Sequence, residues 1–497
     1  MAEIAEAVGG RLISGDPGAL VRGVSKDSRE AGASDLFFAL VGEKHDAHSF
    51  IPQAVEAGCR SFVVSDPGAA PAGMNVVLAE DTAKALQDLA RHYIKGFGIK
   101  KIGVTGSTGK TTTKEMIYHI CKERFRTAKS ATNMNNEIGL PISVLNMEAG
   151  TEVGVFEMGM YTPGEIDMLA DIVRPDIGVI TNIGDAHIQN FESKEGIRDA
   201  KLEITNYMGP DEVLVVNTDG GCLTEESASG PYRLVKVGST GRNDFIISEV
   251  ESEGENGLTF FLEHGDEMVK FFMPILGGHN AGNAALAVAA VHSLGISMEE
   301  SAKRLSSFTI SGRLAGKDGM KIIDDTYNAS PDSMRAALDM LESVKGIRKI
   351  AILGDMNELG RRSAEYHRKV GAYAAKKKIG LLVAVGEKAA GIAEGAAEYV
   401  AKAGGSAGAG SAAGAAGGSA GAGSAAGAAG GSAGAGSAAG AAGGGAGAGA
   451  AGMKILSFAT KDEAWAAIRG MLAAGDVILV KGSRGMAMEV LVKRILK

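Results

Sequence analysis

The chain has 497 residues, a formal charge of −8 and 45% hydrophobic residues. That length exceeds one ordinary domain, so two to four domains with large cores are expected. The acidic balance, with no basic block, argues against nucleic acid as a partner. Cys59, Cys121 and Cys222 are too dispersed for a disulfide framework or a zinc site, which fits a reducing compartment. Met1-Ala2-Glu3-Ile4 lacks the basic and apolar regions of a signal peptide, and no run approaches the roughly 18 apolar residues of a membrane span. A cytoplasmic enzyme is therefore expected.

Residues 1–82 read as a small α+β domain of short strands with interspersed glycines. From 83 to 313 the rhythm becomes α/β. The apolar run Lys101-Ile102-Gly103-Val104-Thr105 precedes Gly106-Ser107-Thr108-Gly109-Lys110-Thr111-Thr112, after which Met116, Ile117 and Ile120 fall at helical spacing. A strand, a glycine turn and a helix N-terminus together present backbone N–H groups and a positive dipole end to a phosphate chain. Lys110 would reach the β/γ-phosphates and the Thr111 hydroxyl would ligate Mg²⁺. The usual motif has a glycine five residues before Gly109, where this chain has Val104. A shorter G-x-x-G-K-T form still keeps lysine, threonine and turn glycine in their relative places.

Val153–Phe156, Ile177–Ile180 and Val213–Val216 are further buried-strand candidates. Glu157 and His187 follow two of them, where an α/β nucleotide site places its ligands. Together they are candidates for holding Mg²⁺, although a histidine after a strand reads more readily as structural and Mg²⁺ prefers oxygen. Lys201 reads as an ordinary exposed helical lysine. Asn280 and Asn283, three apart before an alanine-rich segment, suit either contacts to a base or helix capping. Arg313 could place a guanidinium on a transferring phosphate, and Asp325 could accept from a ribose hydroxyl or bind metal.

Residues 314–497 alternate apolar runs (350–353, 381–385, 477–480) with helix-like segments, which predicts a Rossmann-like parallel α/β domain. It is interrupted at 404–452 by Gly, Ala and Ser with a period of 13, marked by Ser406, Ser419 and Ser432. With no apolar side chain larger than methyl, that segment cannot offset its ordering entropy, so a disordered insertion is expected.

Several segments taken together resemble the Mur ligases. They are Thr105–Thr112, Thr132-Asn133-Met134-Asn135-Asn136-Glu137-Ile138-Gly139, Glu157-Met158-Gly159, the stretches around His187 and Lys201, and His279–Asn283. Asp325–Pro331, Leu353–Gly360 and Val480–Gly485 are similar to the branch that adds D-Ala-D-Ala to a UDP-N-acetylmuramoyl tripeptide. Asp27-Ser28-Arg29 resembles the family's UDP-sugar end, and the Asp-Asn-Pro-Arg motif of the diaminopimelate-adding relative is absent. Asp46-Ala47-His48 and Asn357 depart from the family pattern outside the expected nucleotide chemistry.

The resemblance implies three domains (1–82 UDP-sugar-binding, 83–313 ATP-binding, 314–497 ligase) and an acyl-phosphate mechanism in peptidoglycan precursor synthesis. It implies ATP contacts from Gly106 through Thr112, Asn280, Asn283, Arg313 and Asp325. Substrate contacts are implied for Ser28, Arg29, Thr132, Asn133, Asn135, Asn136, Asn328, Ser483 and Arg484. Catalysis falls to Lys110, Lys201, His187 and Arg313, and metal binding to Thr111, Glu157, His187 and a carbamylated Lys201. A monomer is expected. Alternatives are another Mur-type ligase, a folylpolyglutamate synthase, or a P-loop ATP-binding switch that performs no ligation.

Overall fold

The computed structural model describes residues 1–42, 45–310, 314–407 and 453–497, with backbone alone for 404–407. The chain forms two compact units: Met1–Ser311 with Ser343–Lys345 and Glu358–Arg361, and Gly312–Glu342 with Gly346–Asn357 and Arg362–Lys497.

In the first unit, strands β1 (Arg11–Ser14), β2 (Gly23–Ser25), β3 (Asp35–Phe38), β4 (Ser61–Val64) and β5 (Asn75–Leu78) form a sheet in the order β1-β5-β4-β3-β2. Only β1 pairs antiparallel. Phe37, Phe38 and Phe62 are fully buried, with Phe37 and Phe62 edge-to-face at 6.1 Å. Helix Thr82–Lys95 begins where Asp81 accepts from the backbone N–H groups of Ala83 and Lys84. It buries Ala85, Leu86, Leu89 and Ala90, the stripe of an amphipathic helix.

Nine strands follow: β6 (Lys100–Thr105), β7 (Thr127–Lys129), β8 (Val153–Glu157), β9 (Ile177–Ile180), β10 (Val213–Asn217), β11 (Arg233–Gly238), β12 (Phe245–Ser252), β13 (Leu258–His264) and β14 (Glu267–Met273). Their order is β14-β13-β12-β11-β10-β9-β6-β8-β7. The strands from β7 to β12 pair parallel, and β12, β13 and β14 extend the edge antiparallel. The chain leaves β6 toward β7 and β8 on one side and returns to β9 on the other. The C-terminal end of β6 is thus a topological switch point, where open α/β sheets bind ligands. Helix Asn280–His292 is buried nearly all round, and its alanines allow close packing against this sheet.

The second unit contains β15 (Leu314–Lys317), β16 (Met320–Asp325), β17 (Arg348–Gly354), β18 (Leu381–Val385), β19 (Lys454–Phe458) and β20 (Asp476–Lys481), in the order β15-β16-β20-β17-β18-β19. Apart from the antiparallel β15, the strands are parallel. The β18 and β20 strands are buried throughout, as continuous Val/Ile/Leu runs in a covered parallel sheet should be. Between β18 and β19, helix Ala390–Ala407 carries helical backbone four residues into the segment expected to be disordered. The rest of that segment, 408–452, lies outside the described residues. Among the described residues no helix is long and apolar enough to cross a membrane.

Candidate nucleotide site

The loop after β6 depends on two glycines. Gly106 has φ 143°, and a Cβ there would lie 1.8 Å from Thr181 Oγ1. Gly109, at φ 82°, is the residue from which helix Lys110–Cys121 starts, and a Cβ there would meet Asn283 Oδ1 at 2.4 Å. Only glycine combines that backbone with that approach. The segment after β9 braces the loop from the other side. The Thr108 N–H donates to Asn182 Oδ1 (2.9 Å), Asn182 Nδ2 donates to Thr108 Oγ1 (2.6 Å), and Thr181 Oγ1 donates to the Thr108 carbonyl (2.6 Å).

Lys110 folds back over this loop, its Nζ donating to the Gly106 carbonyl at 2.7 Å. Thr111 Oγ1 donates to Glu157 Oε2 at 2.9 Å, and Asn135 Nδ2 donates to Glu157 Oε1 at 2.8 Å. Glu157 closes β8 and is buried. A threonine hydroxyl and a carboxylate converging here are hard oxygen donors of the kind Mg²⁺ takes.

The electrostatics are lopsided. Burial pushes the Lys110 ammonium below its ordinary range, partly opposed by the Glu157 carboxylate. Lys201 is only 3% exposed, and burial followed by repulsion from Lys110 drives its pKa well below that of an ordinary lysine. The exposed position expected for Lys201 is thus corrected. Ile197, Ala200, Lys201 and Ile204 recur at i, i+3, i+4 and i+7 and are all buried, so the lysine lies on the core-facing stripe. His187, at φ 61°, lies against the Glu358 carboxylate and edge-on to Tyr161 at 4.8 Å. Burial lowers its pKa, with Glu358 opposing.

The amides of Asn280 and Asn283 are already engaged. Asn280 Nδ2 donates to the Leu276 carbonyl (2.8 Å) and Asn283 Nδ2 to Asn280 Oδ1 (2.9 Å). The residue preceding the helix is His279, so neither asparagine is its N-cap. Asn283 instead packs against the loop after β6 at Gly109.

Ser28, Arg29, Thr132, Asn133 and Asn136 also belong to the first unit. Ser28 Oγ donates to Gln53 Oε1 at 2.6 Å, and exposed Arg29 pairs with Asp27. Asn136 Oδ1 accepts from the Gly139 N–H, shaping the loop that carries Asn133 and Asn135. The second unit gathers its own cluster at the C-terminal ends of β16, β17 and β20. Lys481 Nζ donates to Asp325 Oδ2 and to the Asn328 carbonyl, both at 2.7 Å. Ser483 Oγ accepts from the Asn357 N–H at 2.8 Å, and Arg484 is largely exposed. Arg313 lies outside the described residues. Sequence reading passed over Lys114, Asn182, Glu358 and Lys481 as site residues. Lys114 carried a signal in its position one helical turn beyond Lys110, and Glu358 and Lys481 lay within the family-like segments Leu353–Gly360 and Val480–Gly485.

Three family models match the chain: Mur ligase family, catalytic domain, over residues 20–94; Mur ligase middle domain over 104–291; and Mur ligase, glutamate ligase domain, over 312–417. The UDP-N-acetylmuramoyl-tripeptide--D-alanyl-D-alanine ligase of Bacillus subtilis (strain 168) is 37% identical over 504 residues, covering 99% of this chain and 97% of the relative. MurF from Acinetobacter baumannii superposes with a TM-score of 0.81 at 29% identity, covering 99% of this chain and 98% of that one. The MurF ligase of Thermotoga maritima in complex with ADP gives a TM-score of 0.75 at 26% identity, covering 96% and 98%.

Proposed function

Since the chain belongs to the Mur ligase family, we propose that it joins D-Ala-D-Ala to the C-terminal carboxylate of a UDP-N-acetylmuramoyl tripeptide at the expense of ATP. The tripeptide carboxylate attacks the γ-phosphorus, forming an acyl phosphate and releasing ADP. The dipeptide amine then adds to the activated carbonyl, and phosphate leaves from the tetrahedral intermediate.

The first step brings a carboxylate against a phosphate, so positive charge must be concentrated where they meet. Lys110 is proposed to supply it, with Arg313 assisting. Mg²⁺ held by Thr111 and Glu157, with a second ion held by His187 and a carbamylated Lys201, would neutralise charge on the phosphates when bound. Carbamylation requires a neutral amine, whose nitrogen bonds the carbon of CO₂ with loss of one proton. Burial of Lys201 favours that neutral form, and the product offers anionic oxygen where an ammonium would repel a cation.

We assign the UDP-sugar to residues 1–82 with Ser28 and Arg29, ATP to 83–313 with a further contact from Asp325, and ligase contacts through Asn328, Ser483 and Arg484 to 314–497. Thr132, Asn133, Asn135 and Asn136 are assigned to the muramoyl peptide. The chain is proposed to act as a cytoplasmic monomer, which sizing in solution checks.

The observation that carries this reading is the Lys110–Thr111–Glu157 arrangement within a chain similar along its whole length to the dipeptide-adding relative. A panel of UDP-muramoyl peptides, each offered with D-Ala-D-Ala or with a free diamino acid, tests it. The expected product is a tripeptide extended by the dipeptide. Extension of a dipeptide acceptor by the diamino acid would assign the protein to another branch.

A further inference from the structure

Lys114 is fully buried, although it follows the phosphate-binding lysine by one turn of the same helix. A buried ammonium persists only where nearby groups compensate its desolvation. Here Nζ donates to the Ser130 carbonyl at 2.9 Å and lies 3.3 Å from Glu115 Oε1 and 3.7 Å from Glu157 Oε2. Glu115 also pairs with Lys129. The result is a row of alternating charge, Lys129–Glu115–Lys114–Glu157, that runs from a partly exposed lysine to the buried carboxylate of the nucleotide site.

Ser130 joins the same assembly twice. Its carbonyl takes the Lys114 ammonium and its hydroxyl accepts the Glu157 N–H at 3.0 Å. Glu157 is therefore held at three points: its backbone N–H by Ser130, Oε1 by Asn135, and Oε2 by Thr111 with Lys114 beside it. Ser130 and Glu115 alone would satisfy a merely structural lysine. The approach to Glu157 Oε2, the oxygen that Thr111 shares, is what bears on the site.

We propose that Lys114 is a positioning residue: it fixes the Glu157 carboxylate facing Thr111, so that the two oxygens are arranged for Mg²⁺ before the nucleotide arrives. The inference rests on Glu157 being a Mg²⁺ ligand. Partners of this kind orient metal ligands, and their loss commonly costs 10- to 100-fold in metal affinity.

The test is calorimetric binding of ADP to the full chain over a range of Mg²⁺ concentrations, comparing wild type, Lys114→Met and Glu157→Gln. For Lys114→Met, ADP affinity without Mg²⁺ should stay within about twofold, while the Mg²⁺ concentration giving half of the full enhancement should rise roughly tenfold. Glu157→Gln should raise it at least as far. If Lys114→Met does not fold, Lys114→Gln, which can still donate to Ser130 but carries no charge, takes its place. An unchanged Mg²⁺ dependence in the Lys114 variant with a shifted one in Glu157→Gln would overturn the positioning role. Tighter Mg²⁺ binding would also overturn it, leaving Lys114 only as a charge that weakens the carboxylate's pull. No shift in either variant would remove the Mg²⁺-ligand reading beneath it.

Discussion

Half-buried Lys110 and buried Lys201 are proposed to use their charge in opposite ways. In the proposed mechanism Lys110 stays positive to meet phosphate, whereas Lys201 acts only once its amine has lost its proton. Lys110→Ala should leave the melting temperature near wild type but lower turnover on the order of 10³-fold, as for loss of a principal electrostatic stabiliser. Near-normal turnover in a folded variant would contradict the phosphate assignment. Lys201→Ala should be inactive and regain part of its activity when short carboxylic acids are supplied, because the added anion would fill the space of the proposed carbamate. Full activity without them would return Lys201 to a structural role. Its reading from sequence as exposed had a specific cause. A lone lysine in a short helix follows composition, while the buried stripe of Ile197, Ala200 and Ile204 becomes decisive only when the helix is placed against the sheet.

At the scale of elements, the strand–turn–helix around Gly106–Lys110 was legible because its signals are local: a strand, two glycines, a lysine and a helix start are all adjacent in sequence. What closes around it was not. Thr181 and Asn182 brace the loop from β9, and Asn283 packs against Gly109 from a helix far along the chain. The parallel strands were visible as unbroken apolar runs, since both of their faces are covered. The antiparallel edge from β12 to β14 interleaves buried residues with half-buried or exposed ones and carries several charges, so its burial is not continuous as in the parallel strands. Gly109→Ala tests how tightly the loop is specified. The αL backbone costs about 1–3 kcal/mol for a side chain, and the new methyl would press on Asn283 Oδ1. A lower melting temperature and weakened ADP binding are expected. An alanine variant that binds ADP as wild type does would show that the loop tolerates another backbone.

At the scale of the molecule, the sequence pattern located the Gly/Ala/Ser segment inside the last α/β domain. The parallel pairing of β18 with β19 on either side of it agrees. The start of the segment was misjudged because composition alone does not mark where helix Ala390–Ala407 stops. Replacing 408–452 by a few Gly/Ser residues should leave ligation nearly unchanged. Closure entropy grows only logarithmically with length, so stability should rise by at most about 2 kcal/mol. Melting temperature and turnover of both forms check this, and a large loss of ligation at unchanged melting temperature would show that the segment has a role its composition hides.

Coupling of ATP cleavage to peptide synthesis distinguishes a ligase from a phosphate-loop switch, and phosphate release measured with substrates omitted one at a time reads it directly. Sustained release should require ATP, UDP-N-acetylmuramoyl tripeptide and D-Ala-D-Ala together, with one phosphate freed for each dipeptide joined. Release at the full rate without the tripeptide or the dipeptide would contradict the account.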